Sequence, residues 1–296
     1  MAWWQLTVQC NQSELESTED ALLELGALSI TLGDAHDEPI YEPLPGENPV
    51  WQVSTVTGLF EQQRSLEDLY DDLVKCLPEH QVASIQKHQL DDQIWERAYL
   101  DQFKPTCFGD NLWICPSWHE PPHPDACNII LDPGIAFGTG SHPTTALCLQ
   151  YLDQHPPVGK SVVDFGCGSG ILGIAAYKLG AKTVSCIDID PQALAATAEN
   201  ARRNGIDPAE LHIGKPDRAD ITSTDYLMAN ILSGPLIELE PEFASILEPG
   251  GQLLLSGILA EQADDIRQRY QRHFDIDAVK IEKDWCRVTG IRNHLR

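Results

Sequence analysis

The chain has 296 residues, 42% hydrophobic and 22% charged, which is enough for one large domain or two smaller ones and excludes general disorder. Its 45 acidic side chains against 20 Lys and Arg give a formal charge of -25, which repels nucleic acid and anionic membranes and makes a basic partner the natural complement. The nine cysteines include no C-x-x-C pair, which fits neither a disulfide framework nor a zinc knuckle and reads as reduced thiols in a cytoplasmic protein with no metal centre. The N-terminus has no basic, apolar leader and no run of 18 apolar residues occurs, so neither secretion nor a membrane span is expected.

Residues 3 to 9 alternate as a strand, and Ser13 then precedes a helix with Leu15, Leu22 and Leu25 that stops at Gly26. Leu28 to Leu32 and Val50 to Thr57 read as the next strands, separated by a proline-rich loop. Ser65 caps a helix carrying Leu66, Leu69, Leu73 and Leu77, Pro78 ends it, and Val82 to Leu90 supplies a fourth strand. The order β-α-β-β-α-β is the split βαβ, ferredoxin-like α+β arrangement, expected over residues 1–88. Asp91 to Phe103 has helical periodicity and is expected as a linker helix within residues 89–104.

A second domain is expected over residues 105–296. Short strands with a turn at Gly109-Asp110 and a proline-rich stretch at 116–124 lead to Asn128-Ile-Ile-Leu-Asp132. Beyond it, apolar strands at 161–165, 183–188, 225–230 and 252–256 alternate with helices at 143–154, 170–180, 191–204, 235–247 and 260–273. That alternation predicts an α/β domain whose parallel sheet is covered on both faces. Asp277 to Lys283 and Trp285 to Ile291 add an antiparallel pair of strands at the C-terminus.

The strongest local signal is Ser161-Val-Val-Asp164-Phe-Gly166-Cys-Gly168-Ser-Gly170-Ile-Leu-Gly173, an apolar strand running through alternating glycines into a helix. Without a Cβ in the way, a charged ligand can approach this backbone and use the free N–H groups at the helix start. Asp188 ends the next strand about 20 residues later, where a carboxylate reaches the two hydroxyls of an adenosine ribose. Gly168, Gly170 and Gly173 also satisfy the dinucleotide fingerprint, so the glycines alone leave a nicotinamide cofactor open. Asp164, two residues before the first glycine, gives D-x-G-x-G-x-G and favours S-adenosylmethionine, as does the antiparallel C-terminal pair.

Two further segments carry polar groups in telling places. Asp132-Pro-Gly-Ile-Ala-Phe137-Gly138-Thr139-Gly140-Ser-His142-Pro-Thr144-Thr145 is a glycine loop entering a helix, with Phe137 able to lie against a cofactor and two hydroxyls at the helix start. Asn230 ends the strand Tyr226-Leu-Met-Ala-Asn230, where amino-methylating enzymes of class I carry an Asn or Asp that accepts from the acceptor amine and aims it. Ile231-Leu232-Ser233 follows in place of Pro-Pro-Tyr, so the aromatic wall that stacks a planar base is missing. That points to a flexible aliphatic amine.

On Pro133 to Thr145, Asp164 to Leu172, Asp188-Ile-Asp190-Pro191 and Ala229-Asn230-Ile231-Leu232, nearly the whole chain resembles the bacterial ribosomal protein L11 methyltransferases, the PrmA family. The resemblance implies a Rossmann-like class I methyltransferase domain behind a ferredoxin-like substrate domain. It also implies methylation of the N-terminal α-amine and lysine ε-amines of ribosomal protein L11, with S-adenosylmethionine as cofactor. By that similarity Thr145, Gly166, Asp188 and Asn230 contact the cofactor, Asp164 and Gly168 belong to the loop that receives it, and Phe137, Gly138 and Thr139 lie beside it. His142, the one imidazole within a motif, is a candidate proton relay, against a plain packing or capping role. The acidic N-terminal domain is expected to receive the basic ribosomal protein, with the enzyme a monomer. Another amine as methyl acceptor, and more remotely a nicotinamide-dependent oxidoreductase, are the alternatives.

Overall fold

The computed structural model describes residues 3–36, 50–90, 103–132, 142–218 and 221–294. Two compact units divide the chain, Met1–Gln102 and Phe103–Arg296. Of the linker helix expected over Asp91 to Phe103, residues 91–102 lie outside the described residues, as does the proline-rich loop at 37–49.

In the first unit the strands β1 (Trp3–Asn11), β2 (Ser29–Asp34), β3 (Val53–Glu61) and β4 (Gln86–Leu90) form an antiparallel sheet in the order β2-β3-β1-β4. The helices α1 (Leu15–Glu24) and α2 (Leu66–Cys76) connect them, which gives the split βαβ order. Alternation decides the buried face: Trp4, Leu6, Val8 and Cys10 of β1 stand opposite Phe60, Gly58, Val56 and Ser54 of β3 and share a core with Leu22, Leu69 and Leu73. Ser65 caps α2, its Oγ accepting from the Asp68 N–H at 3.1 Å. The fourth strand is shorter than expected. Val82 belongs instead to a short helix, α3 (Glu79–Val82), begun by the Pro78 carbonyl, which accepts from the Gln81 N–H at 2.9 Å.

The second unit opens with a small sheet of β5 (Thr106–Phe108), β6 (Leu112–Cys115) and β7 (Cys127–Ile130). Its main sheet holds β8 (Ser161–Phe165), β9 (Thr183–Ile187), β10 (Thr224–Asn230), β11 (Leu247–Leu259), β12 (Phe274–Ile276), β13 (Lys280–Glu282) and β14 (Trp285–Arg292). The order is β12-β14-β11-β10-β8-β9, with β13 also on β14; β9, β8, β10 and β11 run parallel and β14 antiparallel to β11. The chain leaves β8 for β9 on one side and reaches β10 on the other, so a crevice opens at the C-terminal ends of β8 and β10.

Helices cover both faces: α4 (Pro143–Gln154), α5 (Ile171–Lys178) and α6 (Pro191–Arg203) on one, α7 (Ser233–Ile246) and α8 (Ala263–Tyr270) on the other. The strands read as unbroken apolar runs because each side of the pleat finds a helix layer. Tyr226 and Met228 of β10 join Leu149, Leu152 and Ala175, while Leu227 and Ala229 join Leu236, Phe243 and Ile266. Burial of each such large side chain stabilises by about 1.5–3 kcal/mol.

Two further sequence expectations need correction. The strand expected at 277–283 is two short ones, β12 before it and β13 at its end, both paired to β14. Asp277 interrupts them: its N–H donates to the Thr289 carbonyl at 2.9 Å, and its Oδ2 accepts from the Thr289 hydroxyl at 3.0 Å. The strand expected at 252–256 extends to Leu247–Leu259 and carries a bulge between Leu255 and Ile258. At that bulge Gly257 has φ +81°, and a Cβ there would lie 2.3 Å from the Ile231 carbonyl oxygen. Gly257→Ala therefore combines left-handed strain with a backbone collision beside Asn230, and should lower unfolding free energy in urea by about 2 kcal/mol or more. Unchanged stability would show that the bulge is not fixed by this approach.

Candidate functional site

The glycine loop follows β8 and turns through three left-handed glycines, Gly166 at φ 76°, Gly168 at 54° and Gly170 at 78°. Side chains would oppose these conformations, and at Gly166 a Cβ would also lie 2.3 Å from Ile231 Cγ2. The Ile187 carbonyl accepts from both the Gly166 and Cys167 N–H groups at 2.7 and 3.0 Å, which fastens the loop to the end of β9. From below, two side chains of α6 hold its carbonyls. Thr197 Oγ1 donates to Gly168 O at 3.0 Å, and Asn200 Nδ2 donates to Ser169 O at 2.9 Å. Sequence reading missed both residues, although buried polar groups three apart on an otherwise apolar helix face are the signal that could have found them.

Asp188 joins the loop to the next helix. Its Oδ2 accepts from the Gly168 N–H at 2.9 Å and its Oδ1 from the Asp190 N–H at 2.9 Å, while Asp190 in turn caps α6 through the Gln192 N–H at 2.8 Å. Each carboxylate oxygen keeps a further lone pair, so two ligand hydroxyls can be received without dismantling the loop. Ile189 between the two aspartates is 78% exposed, an apolar surface available to a flat ring.

Asp164 sits under the loop, almost wholly buried, and its Oδ2 accepts from the Gly173 N–H at 2.8 Å. Burial pushes its carboxyl up to about 7; the Gly173 hydrogen bond opposes this and the charge of Asp188 adds to it. Oδ1 of Asp164 has no partner among the described residues. Across the crevice, Asn230 Nδ2 donates to Thr145 Oγ1 at 3.3 Å, which leaves Asn230 Oδ1 buried and likewise without a partner among the described residues. Two orphaned acceptors thus flank a glycine cradle at the switch point. Buried acceptors of this kind call for N–H or O–H donors from a ligand, and they fit a zwitterionic, adenosine-bearing cofactor.

His142 caps α4: Nδ1 accepts from the Thr144 N–H at 3.4 Å and lies 2.7 Å from the Thr144 hydroxyl. Burial lowers its pKa below the ordinary imidazole value. The structure therefore brings together Thr145, Asp164, Gly166, Gly168, Asp188 and Asn230 around one crevice, with His142 at the start of the helix that carries Thr145. Phe137, Gly138 and Thr139 lie outside the described residues.

The Asp164 pKa gives a signed expectation. A folded-state value raised from the ordinary carboxylate range to about 7 means stability that is full at acidic pH and lost as pH rises through 7. Asp164→Asn should be close to wild type in Tm near pH 4 and progressively more stable by comparison up to pH 8, by cofactor-free thermal denaturation. A Tm difference independent of pH would contradict the buried, raised carboxyl.

A family model described as Ribosomal protein L11 methyltransferase (PrmA) matches residues 2–293. Proteins named ribosomal protein L11 methyltransferase from Marinobacter nauticus and from Pseudomonas aeruginosa PAO1 are 48% identical over 295 residues and 49% identical over 296, each covering 99% of both chains. A crystal structure of the ribosomal protein L11 methylase from Lactobacillus delbrueckii subsp. bulgaricus superposes with a TM-score of 0.57 at 34% identity, over 65% of this chain and 100% of that one.

Proposed function

The chain belongs to the ribosomal protein L11 methyltransferase family, and from that premise we propose that it transfers methyl groups from S-adenosylmethionine to the lysine ε-amines and N-terminal α-amine of ribosomal protein L11. The observation that carries the amine chemistry is the orphaned Asn230 Oδ1, buried at the end of β10 beside the glycine loop. When bound, the cofactor supplies an electrophilic methyl on a sulfonium. Asp188 would hold the ribose hydroxyls, the loop from Gly166 to Gly170 the rest of the nucleoside end, and Asp164 the polar groups that reach under the loop. On this reading Asn230 accepts an N–H of the incoming amine and turns its lone pair toward the methyl. Thr145 fixes which way the Asn230 amide faces.

A lysine amine has a reference pKa of about 10.4 and attacks only when neutral. Entry into a crevice bordered by Ile231, whose Cγ2 lies against Gly166, disfavours the ammonium form, as does a nearby sulfonium charge, so part of the deprotonation needs no dedicated base. The missing aromatic wall after Asn230 suits an aliphatic chain better than a base. No helix among the described residues is long and apolar enough to cross a membrane. We place the enzyme in the cytoplasm, as a monomer.

Recognition of the protein substrate falls to the first unit. Residues 1–100 carry 19 acidic and 4 basic side chains, net -15, against 26 and 16, net -10, over the rest. Ribosomal proteins are generally basic, so this field steers the substrate inward and selects against nucleic acid. Labelled S-adenosylmethionine with unmethylated ribosomal protein L11 should place the label on its lysines and N-terminus by mass spectrometry. kcat/KM should fall as salt rises from 50 to 300 mM, on the order of tenfold for a steered encounter. No label on the ribosomal protein would overturn the reading, and a salt-independent kcat/KM would remove the steering role.

A further inference from the structure

The last strand of the sheet, β14, sends alternate side chains to opposite helix layers. Cys286 and Val288 enter the cluster under α7 and α8, and Arg292 Nε donates to the Ala244 carbonyl of α7 at 3.0 Å. Trp285 and Arg287 face α4 instead. The Trp285 ring meets the His142 ring edge-on, with centroids 4.8 Å apart and planes at 70°. Arg287 Nη1 donates to the Leu147 carbonyl at 3.1 Å, and its guanidinium lies 4.5 Å over the Tyr151 ring. The strand thus grips α4 at its cap, in its second turn and in its third.

Satisfying a helix end does not account for these contacts, because the Leu147 carbonyl is in the helix interior. A planar guanidinium that donates to one turn and stacks on the next fixes both the height and the tilt of the helix. Thr145 lies between the two anchors, His142 and Leu147. Its bond from Asn230, 3.3 Å long, is already near the limit for N–H···O, so a shift of α4 by a fraction of an ångström breaks it. Once broken, the Asn230 amide loses the side-chain bond that fixes which of its two ends faces Thr145.

We propose that Trp285 and Arg287 are positioning residues for methyl transfer, which hold α4 so that Thr145 keeps Asn230 Oδ1 presented to the acceptor amine. This rests on the functional reading above and adds two residues remote from the cofactor loop to the machinery of the same site. Neither touches the reacting atoms; both act through α4.

The test is a double-mutant cycle on the full chain, with methylation rates normalised to the folded fraction. Arg287→Lys keeps a cation and a donor but not the plane; it should lower kcat about tenfold with KM for the protein substrate nearly unchanged, as expected of a misplaced group. Trp285→Phe, which keeps an aromatic edge, should lose less than Trp285→Ala. Thr145→Ala alone should also lower kcat about tenfold, and adding Arg287→Lys to it should cost little more, because both break one chain of contacts. Multiplying losses, about a hundredfold for the pair, would overturn the proposal, as would variants that lose only Tm with kcat per folded molecule unchanged. Absence of transfer by the wild-type protein would overturn the functional reading itself, and with it this inference. Wild-type transfer with multiplying losses overturns the positioning role alone.

Discussion

The hydrogen bond from Asn230 to Thr145 is the contact on which the crevice depends, because it joins the end of a central parallel strand to a residue 85 positions earlier, in the first turn of a helix. An asparagine amide offers a donor and an acceptor on one carbon, and spending the donor on Thr145 leaves the acceptor available to a ligand. Much of the surrounding structure serves to keep those two residues in place. The bulge at Gly257 lets β11 pass close to the Ile231 backbone, so the turn after Asn230 is braced by its neighbour strand. His142 closes the start of α4, and β14 grips that helix from the far edge of the parallel strands.

The opposite wall is built by a similar economy of hydrogen bonds. Gly166, Gly168 and Gly170 give the loop its left-handed turns, and the loop would be floppy if only the glycines shaped it. Ile187 takes two of its backbone groups, Asp188, Thr197 and Asn200 take one each, and together they convert it into a rigid cradle. What remains unmet among the described residues is one buried oxygen of Asp164 and one of Asn230. A preorganised site of this kind orders few groups when ligand arrives, which conserves binding energy for orientation.

Much of this was legible in the sequence, and the reasons differ from one element to the next. The glycine loop, Asp188 and Asn230 could be read because special backbone conformations and strand ends demand particular residue types at fixed spacing. The two-sided burial of β8 to β11 was legible as unbroken apolar runs. Strand ends were less so: Val82 is apolar enough for a strand yet sits in a helical turn set by Pro78, and Asp277 splits an alternating run through a tertiary bond to Thr289. Thr197 and Asn200 left only a pair of polar residues three apart on an apolar helix face, and Trp285 and Arg287 left no signal, because each acts on a partner between 29 and 143 residues away. No local pattern encodes such a distance.

The most direct measurement is the single-turnover rate of methyl transfer by Asn230→Ala at saturating S-adenosylmethionine, with cofactor affinity measured in parallel by calorimetry. Loss of the aiming acceptor should slow transfer about a hundredfold while cofactor affinity changes much less, the signature of an interaction made with the amine. Transfer at the wild-type rate would contradict the account, because the orphaned oxygen would then have no part in presenting the amine.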